Sequence, residues 1–417
     1  GLNASAKSLD VIGNNIANAS TVGFKASQTQ FADVFASSLS GGGGGQVGIG
    51  TRLAGISQQF TQGNVTTTNN ALDVAVNGRG FFRLSNNGEI SYSRNGQFQL
   101  DKDGYLVNNT GLNVTGYQVD ANGNLTGALD NLRLSQADIA PKLTGTASVS
   151  ANLNANATPP TAAWVPPNPG ASPPVALDMN SFNSSTSMTV FDSLGNSHIM
   201  GLYFAKTAAN TWDVYTTVDG YGTAAAVTNV PALTGLPFTS AGVVDSAAYT
   251  PPTAMSLNLN IPNPSGGAAT PLAISFDFSN MTQYGAEFSV SELAQDGYTS
   301  GRLAGFNVGS DGVIKGRYSN GQTKNLGQIA LANFINPQGL AAVGDNQWVE
   351  SANSGQPLVG SPGSGTLGVL QASSVEDSNV DMTQELVAMI IQQRAYQANA
   401  QTIKTQDQVL QTLVNLR

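Results

Sequence analysis

The sequence contains no cysteine and a single histidine, His198, among its 417 residues. Without cysteine, neither a disulfide framework nor a thiolate metal site can form, and thiol redox chemistry is excluded. One histidine cannot build a two-histidine metal site. A lone histidine in a turn or strand is usually structural, because general base catalysis also needs an oriented partner and a pocket. We therefore expect no enzyme, no metal and no cofactor.

Charge and long apolar runs are also scarce. Charged residues make up 10% of the chain, the net charge is −9 and the pI is near 4.5, so a basic surface for nucleic acid is not expected. No run of about 18 apolar residues is present, which argues against membrane insertion. The first thirty residues lack the basic and continuously apolar regions of a secretory signal. If the protein leaves the cell, we expect another export route.

The body of the chain has the pattern of antiparallel β-structure. From about Val47, short runs such as "LDVAV", "GFFRL" and "QFQL" alternate apolar and polar residues, as half-buried strands do. Asn-Gly and Asp-Gly pairs recur between these runs, and both residue types tolerate the positive φ that tight hairpin turns require. Examples are Asn87-Gly88, Asn122-Gly123, Asp219-Gly220 and Asp311-Gly312.

Two proline-rich stretches, 155–175 and 250–271, divide this body and are predicted to be loops or boundaries, because proline cannot occupy a central strand. The simplest arrangement is an insertion. We predict a mainly β fold with terminal α-helices and two antiparallel β domains. Residues 69–145 and 284–365 form an inner β domain, and 146–283 form an outer β domain inserted in it. Residues 1–68 and 366–417 form a terminal helical coiled-coil domain.

Both ends of the chain are predicted to be helical. Residues 1–35 and the segment after Asp381 carry apolar residues at seven-residue intervals, typical of one side of a coiled coil. Asp381 and Gln384 form a capping-box pattern. Glycine-rich stretches at 41–45 and 360–368 are predicted to be flexible joints. The stripes are Leu2, Leu9 and Ile16 at one end, and Met382, Met389, Tyr396, Ile403 and Leu410 at the other. We expect the two helices to bury these stripes on each other and to pack with further copies.

Both ends also carry motifs of a known family. "NNIANASTVGFKAS" (14–27) resembles the N-terminal signature of the bacterial flagellar rod and hook axial proteins, and "SNVDMTQELVAMIIQQRAYQANA" (378–400) resembles their C-terminal signature. "YSRNGQFQLDKDGYLVNNTGLNVTGY" (92–117) is shared by the rod and hook types. "MTVFDSLGNSHIMGLYF" (188–204) is similar to the outer domain of the hook type.

The resemblance implies a structural subunit of a curved extracellular tube that transmits torque from rod to filament, exported by the flagellar type III apparatus. Its implied partners are copies of itself, the distal rod protein, the hook–filament junction protein and the hook cap protein. The positions expected to form the assembly interface are Leu2, Leu9, Ile12, Asn15, Ile16, Asn18, Gly23, Phe24, Lys25, Met382, Leu386, Met389, Arg394, Tyr396, Asn399, Ile403, Leu410 and Leu413.

Three alternatives remain open at this point. One is another axial protein, of the distal rod or the hook-associated kind. The second is a monomeric secreted β-rich adhesin, which would not polymerise. The third is a β-fold glycosidase, which would need paired carboxylates in a cleft. Asp192, Asp277 and Glu287 lie on or near candidate strands, but their spacing does not indicate a site.

Overall fold

A computed structural model describes residues 1–34, 50–222, 233–248, 256–259, 268 and 272–415. The chain divides into two compact units. The first comprises residues 1–136, 304–317 and 323–417, and the second comprises 137–303 and 318–322. The predicted joint at 41–45 lies outside the described residues.

The first unit begins with a helix and continues as short strands. The elements are α1 (Leu2–Ala17), β1 (Ser27–Val34), β2 (Gly50–Gln58), β3 (Val65–Thr67), β4 (Val74–Asn77), β5 (Phe81–Asn86), β6 (Glu89–Ser93), β7 (Phe98–Leu100), β8 (Leu106–Asn108), β9 (Asn113–Val119) and β10 (Leu125–Asn131). β1 and β2 form a separate antiparallel ribbon with a bulge at Gln30/Phe31. The hairpin of β5 and β6 turns at Asn87-Gly88, with φ of 48° and 103°, which confirms the predicted Asn-Gly turn.

The described residues of the second unit form two five-stranded sheets. Its strands are β11 (Thr146–Asn154), β12 (Ser184–Phe191), β13 (Ser197–Ala208), β14 (Thr211–Val218), β15 (Tyr221–Gly222), β16 (Leu233–Pro237), β17 (Ser256–Leu259), β18 (Leu272–Asp277), β19 (Thr282–Tyr284) and β20 (Ser289–Gln295). Side chains of both sheets share one apolar core, in which Val149, Phe204 and Trp212 are fully buried. β20 pairs with β11, so the insert extends past the predicted boundary at 284.

The chain then completes the first unit. The remaining elements are β21 (Leu303–Val308), β22 (Val313–Tyr318), β23 (Thr323–Ile329), β24 (Leu331–Asn333), a short 3-10 helix (Pro337–Gly339), β25 (Ala341–Gly344), β26 (Gln347–Val349), β27 (Leu358–Gly360), β28 (Val369–Ala372), β29 (Ser374–Glu376) and α2 (Met382–Asn415). Strands from before and after the insert share one sheet, in the order β22-β23-β9-β5-β6-β26-β25, in which β9, β5 and β6 precede the insert and the other four follow it. The two sequence segments on either side of the insert therefore form one folded body.

Two predictions about the terminal segments are wrong. Residues 27–34, predicted as helix, form β1, where Phe31 and Val34 fit a helical spacing but pair across to β2 instead. Residues 360–368, predicted as a flexible joint, form a folded turn. Within this turn the Gly363 N–H bonds to the Gly368 carbonyl, and the Gly368 N–H bonds to the Arg79 carbonyl at 2.7 Å.

The C-terminal helix agrees with its prediction. α2 is continuous over 34 residues, about 51 Å at 1.5 Å per residue. Asp381 Oδ1 accepts hydrogen bonds from the N–H groups of Thr383 (2.9 Å) and Gln384 (3.2 Å), which is the predicted N-cap. In the part of the chain that the structure describes, neither α1 nor α2 is apolar enough over a sufficient length to cross a membrane.

Candidate assembly site

The two terminal helices pack against each other in opposite directions. Gly1, at the start of α1, lies against Asn399; a β-carbon at Gly1 would be 2.7 Å from the Asn399 Oδ1. At the other end of α1, the Asn15 Nδ2 donates to Glu385 Oε1 at 3.0 Å. Because Gly1 precedes Asn15 while Asn399 follows Glu385, the pair is antiparallel.

The buried positions of the helix pair are mainly small or polar. The buried side chains of α1 are Ser5, Ser8, Ile12 and Asn15, at alternating intervals of three and four. On α2 the partly buried residues are Glu385, Ala388, Met389, Gln392, Ala395, Asn399 and Ala400. Short side chains allow two helices to approach closely.

The expectation that the apolar stripes bury each other is therefore wrong within one chain. Met382, Tyr396 and Ile403 are 45%, 41% and 56% exposed, and Leu410 is 58% exposed. Met389 is partly buried, as are Leu2, Leu9 and Ile16 of α1. The stripe of α1 lies beside the face that contacts α2. Most of the stripe of α2 is open to solvent.

The eighteen predicted positions fall into three groups. Five are buried inside the chain: Ile12, Asn15, Gly23, Phe24 and Lys25. Six are partly buried: Leu2, Leu9, Ile16, Asn18, Met389 and Asn399. Seven are exposed: Met382, Leu386, Arg394, Tyr396, Ile403, Leu410 and Leu413. The buried group contacts other parts of the same chain, and the exposed group is available to a second copy.

Two asparagine side chains connect the N-terminal motif to its surroundings. The Asn15 side chain bonds the backbone of Ser27 twice, accepting from its N–H at 2.9 Å and donating to its carbonyl at 2.8 Å. Asn379 Oδ1 accepts from the Ala26 N–H at 2.7 Å, and its Nδ2 donates to the Gln59 carbonyl at 2.7 Å. The motifs at the two ends of the sequence therefore bind one another at the base of the helix pair.

Gly23 occupies a position that requires glycine. Its φ is +74°, and an added β-carbon would lie 2.6 Å from the Asn95 nitrogen and 2.8 Å from the Arg94 carbonyl carbon. Its N–H donates to the Glu376 carbonyl at 2.8 Å. The left-handed conformation directs the chain so that Phe24 and the next residue, Lys25, are both buried, at 8% and 1% exposure.

Lys25 belongs to a buried charge cluster with Glu376 and Arg94. The Lys25 ammonium donates to Glu376 Oε1 and to the Thr61 carbonyl, both at 2.7 Å. Arg94 Nε lies 2.9 Å from Glu376 Oε2, and its other nitrogens donate to the carbonyls of Gly78 and Gly80. The Lys25 and Glu376 side chains are fully buried, and that of Arg94 is 4% exposed.

Burial dominates the electrostatics of this charge cluster. Desolvation lowers the pKa of Lys25, and the Glu376 carboxylate opposes the shift. The pKa of Arg94 is also lowered by burial and raised in part by Glu376. A buried cation is stable only when paired and hydrogen-bonded, and Glu376 is the carboxylate that both cations contact.

Several residues of the site were not predicted. Glu376 follows no periodic pattern, so no sequence signal identifies it. Arg94 lies in the motif at 92–117, but nothing in that motif indicates that Arg94 pairs with Glu376. Val387, Ile390 and Ile391 are 53%, 51% and 58% exposed on α2. Their apolar character could have identified them, but they lie outside the seven-residue series. With Leu386 they form the exposed apolar face of α2, defined here as residues 386, 387, 390 and 391.

The histidine and two of the candidate carboxylates, Asp192 and Asp277, make structural contacts. In the second unit, His198 is 8% exposed, its Nδ1 lies 2.7 Å from Asp219 Oδ2, and its Nε2 lies 3.4 Å from Asp192 Oδ2. Both ring nitrogens face carboxylates, so neither is directed at a substrate. Asp192 also accepts two backbone N–H bonds within its own turn, and Asp277 accepts one from Ser279. In the described ranges no group of three or more histidine, aspartate or glutamate side chains is placed to hold a metal ion.

Four family models match successive parts of the chain. They are described as flagella basal body rod protein (residues 1–25), flagellar hook protein FlgE/F/G D1 domain (75–152), flagellar basal body protein FlaE D2 domain (152–298) and flagellar basal body rod FlgEFG protein C-terminal (371–416). Together with the paired terminal helices and the inserted β unit, they define the class of protein as a bacterial flagellar axial protein.

Relatives specify the family further. The chain is 44% identical to flagellar hook protein FlgE of Escherichia coli K12 and 43% identical to that of Salmonella typhimurium LT2; each alignment covers 100% of this chain and 98% of the relative. The hook protein FlgE of Borreliella burgdorferi is 33% identical, with 98% of this chain and 96% of the relative covered. The chain belongs to the flagellar hook protein FlgE family and is a structural subunit of the hook. The distal rod, hook-associated and adhesin alternatives are not favoured.

A solved structure shares the fold. A crystal structure of the Helicobacter pylori flagellar hook protein FlgE2 matches with a TM-score of 0.52 and 15% sequence identity, covering 75% of this chain and all of that one. The present structure confirms the mainly β architecture with terminal helices that the sequence predicts, and the match to the solved structure supports the fold.

Proposed function

We propose that copies of this chain polymerise into a helical tube through their helix pairs, and that the tube forms the flexible joint between rod and filament. The observation that carries the proposal is the exposed apolar face of α2. Its four side chains are between 46% and 58% exposed. Contiguous exposed apolar surface on a soluble protein usually marks an interaction site.

The geometry of this face suits an open polymer. A helical polymer needs a contact between two different surfaces, because a contact between identical surfaces closes a dimer. The helix pair offers two such surfaces: the exposed apolar face of α2, and the partly buried stripe of α1 formed by Leu2, Leu9 and Ile16. We propose that the α2 face of one copy packs on the α1 stripe of the next.

We further propose that the three predicted domains have different structural roles in the tube. The helical domain (1–68 and 366–417) provides the wall of the tube, and the inner and inserted β domains do not contribute to that wall. The pairing of β20 with β11 supports extending the inserted domain from the predicted end at 283 to about 303. Residues 360–368 form a folded turn, which supports the proposal that the tube bends at the contacts between copies rather than at this segment.

The location and the other partners follow from the family and are likewise proposals. The subunit would lie outside the cell, exported by the flagellar type III apparatus, and contact the distal rod protein, the hook–filament junction protein and the hook cap protein at the ends of the tube. The complete absence of cysteine is compatible with an oxidising extracellular setting. We propose no catalytic activity.

The test removes apolar surface from α2 in the full-length chain. Leu386→Asp together with Ile390→Asp introduces charge into the proposed contact, and we expect polymerisation, followed by sedimentation velocity and electron microscopy, to be abolished. Met179→Asp is the matched control, since Met179 is 71% exposed in the second unit. Circular dichroism establishes that the variants remain folded. Normal polymerisation of the Leu386/Ile390 variant would contradict the proposal, and a wild-type chain that stays monomeric at high concentration would favour the adhesin alternative.

A further inference from the structure

The charge cluster of Lys25, Arg94 and Glu376 joins three segments that are far apart in the sequence. Lys25 and Glu376 are separated by 351 positions, and Arg94 lies in the β body between them. The Glu376 Oε1 also accepts the Gly63 N–H at 3.0 Å. A single carboxylate, from the segment just before α2, therefore contacts the residues after α1, the residues after β2 and the β body.

The cluster is asymmetric in charge, with two cations around one anion. Arg94 retains the backbone carbonyls of Gly78 and Gly80 as acceptors whatever happens to Glu376. Lys25 has the Thr61 carbonyl as its other acceptor. Loss of the carboxylate leaves two positive charges in a site without solvent, whereas loss of Lys25 leaves a matched pair of Arg94 and Glu376.

We propose that Glu376 acts as a folding checkpoint: residues 22–27 become ordered only when the Glu376 carboxylate neutralises the cations buried at this site, Lys25 and Arg94 in the natural chain. A chain therefore presents α1 and α2 as a pair only when both of its ends are in place. The checkpoint is a property of the single chain. Its consequence for assembly rests on the proposed polymerisation through the helix pair.

The contacts around Glu376 explain why the dependence is strong. The Gly23 N–H bonds to the Glu376 carbonyl at 2.8 Å, so both the backbone and the side chain of Glu376 hold the N-terminal motif. The Asp377 N–H bonds to the Asn64 carbonyl at 2.8 Å, which fixes the next residue to the segment that supplies Gly63. Without the carboxylate, Lys25 can be solvated only if the segment around it opens.

Hydrogen exchange of the full-length chain, kept monomeric by low concentration, tests the checkpoint. We expect Glu376→Gln to accelerate exchange in peptides covering 22–27 and 59–64 by at least about 100-fold, since unpairing a buried charge is strongly destabilising. Lys25→Met should accelerate it by about tenfold, because Arg94 still pairs with Glu376. Peptides from β12 to β14 in the second unit report whether the rest of the protein stays folded.

Two further variants separate the charge effect from general damage. The double variant Lys25→Met with Glu376→Gln removes one of the two unpaired cations, and we expect exchange about tenfold slower than in Glu376→Gln alone. Asp10→Asn breaks the exposed Lys7–Asp10 pair, whose side chains are 61% and 67% exposed, and should change exchange less than about twofold.

The outcomes are distinguishable. Unchanged exchange in Glu376→Gln, an effect of Lys25→Met at least as large, or a double variant no better than Glu376→Gln would each overturn the checkpoint. Light scattering then measures polymerisation of Glu376→Gln. Polymerisation at the wild-type rate by a chain whose 22–27 segment is open would instead overturn assembly through the helix pair.

Discussion

Replacing Gly23 with alanine tests the local geometry that joins the N-terminal motif to the body. The residue has φ of +74°, a conformation that costs an alanine roughly 1–2 kcal/mol. Its new β-carbon would lie 2.6 Å from the Asn95 nitrogen and 2.8 Å from the Arg94 carbonyl carbon. Both neighbours are backbone atoms, so the segment containing residue 23 must move away from them.

That movement lengthens the 2.8 Å hydrogen bond from the Gly23 N–H to the Glu376 carbonyl, a contribution of about 1 kcal/mol. Together the two effects come to about 2–3 kcal/mol, which raises the opening equilibrium of the segment about 30- to 150-fold. We expect hydrogen exchange in peptides covering 18–27 to accelerate by this factor in the monomeric protein.

Gly13 supplies the matched control. It lies inside α1, and an added β-carbon there would meet no atom within 4 Å. Alanine at this position should stabilise the helix by about 0.8–1.0 kcal/mol through its higher helix propensity, slowing exchange in α1 about fivefold. The two glycine substitutions are therefore expected to act in opposite directions. Equal effects, or a Gly23→Ala chain that exchanges like the wild type, would refute the reasoning.

Two further predictions concern a helix end and an alkaline titration. Asp381→Ala removes the acceptor for the N–H groups of Thr383 and Gln384; we expect a loss of about 1 kcal/mol, seen as faster exchange in the first turn of α2 only. Burial, and then Glu350, raise the pKa of Tyr92 to about 12, against about 10 when unfolded. The neutral phenol therefore stabilises the fold fully below pH 10, and this stabilisation is lost between about pH 10 and 12. In a comparison with Tyr92→Phe, absorbance at 295 nm should show one phenol ionising near pH 12; ionisation near pH 10 would contradict the assignment.

Patterns that depend on neighbouring residues could be predicted from the sequence. The continuous C-terminal helix with its Asp381 cap and the Asn87-Gly88 hairpin are local features, and the structure confirms them. The segment 27–34 shows the limit of this approach. Phe31 and Val34 stand three apart, as on a helix, and only pairing with β2 makes the segment a strand.

The contacts of the site could not be predicted in the same way. The apolar stripes suggest that the helices meet through them, but three of the four buried side chains of α1, Ser5, Ser8 and Asn15, are polar, and Asn15 bonds Glu385 of α2. Glu376 is a single acidic residue without a periodic context. Its importance comes from Lys25, 351 positions away, and such a pairing appears only in three dimensions.

Helical reconstruction of tubes grown from the full-length chain tests the central claim most directly. The proposal predicts tubes in which the helix pairs form a continuous layer and the side chains of Leu386, Val387, Ile390 and Ile391 are covered by a neighbouring copy. Tubes held together by the β units alone, with these four side chains still exposed to solvent, would contradict it.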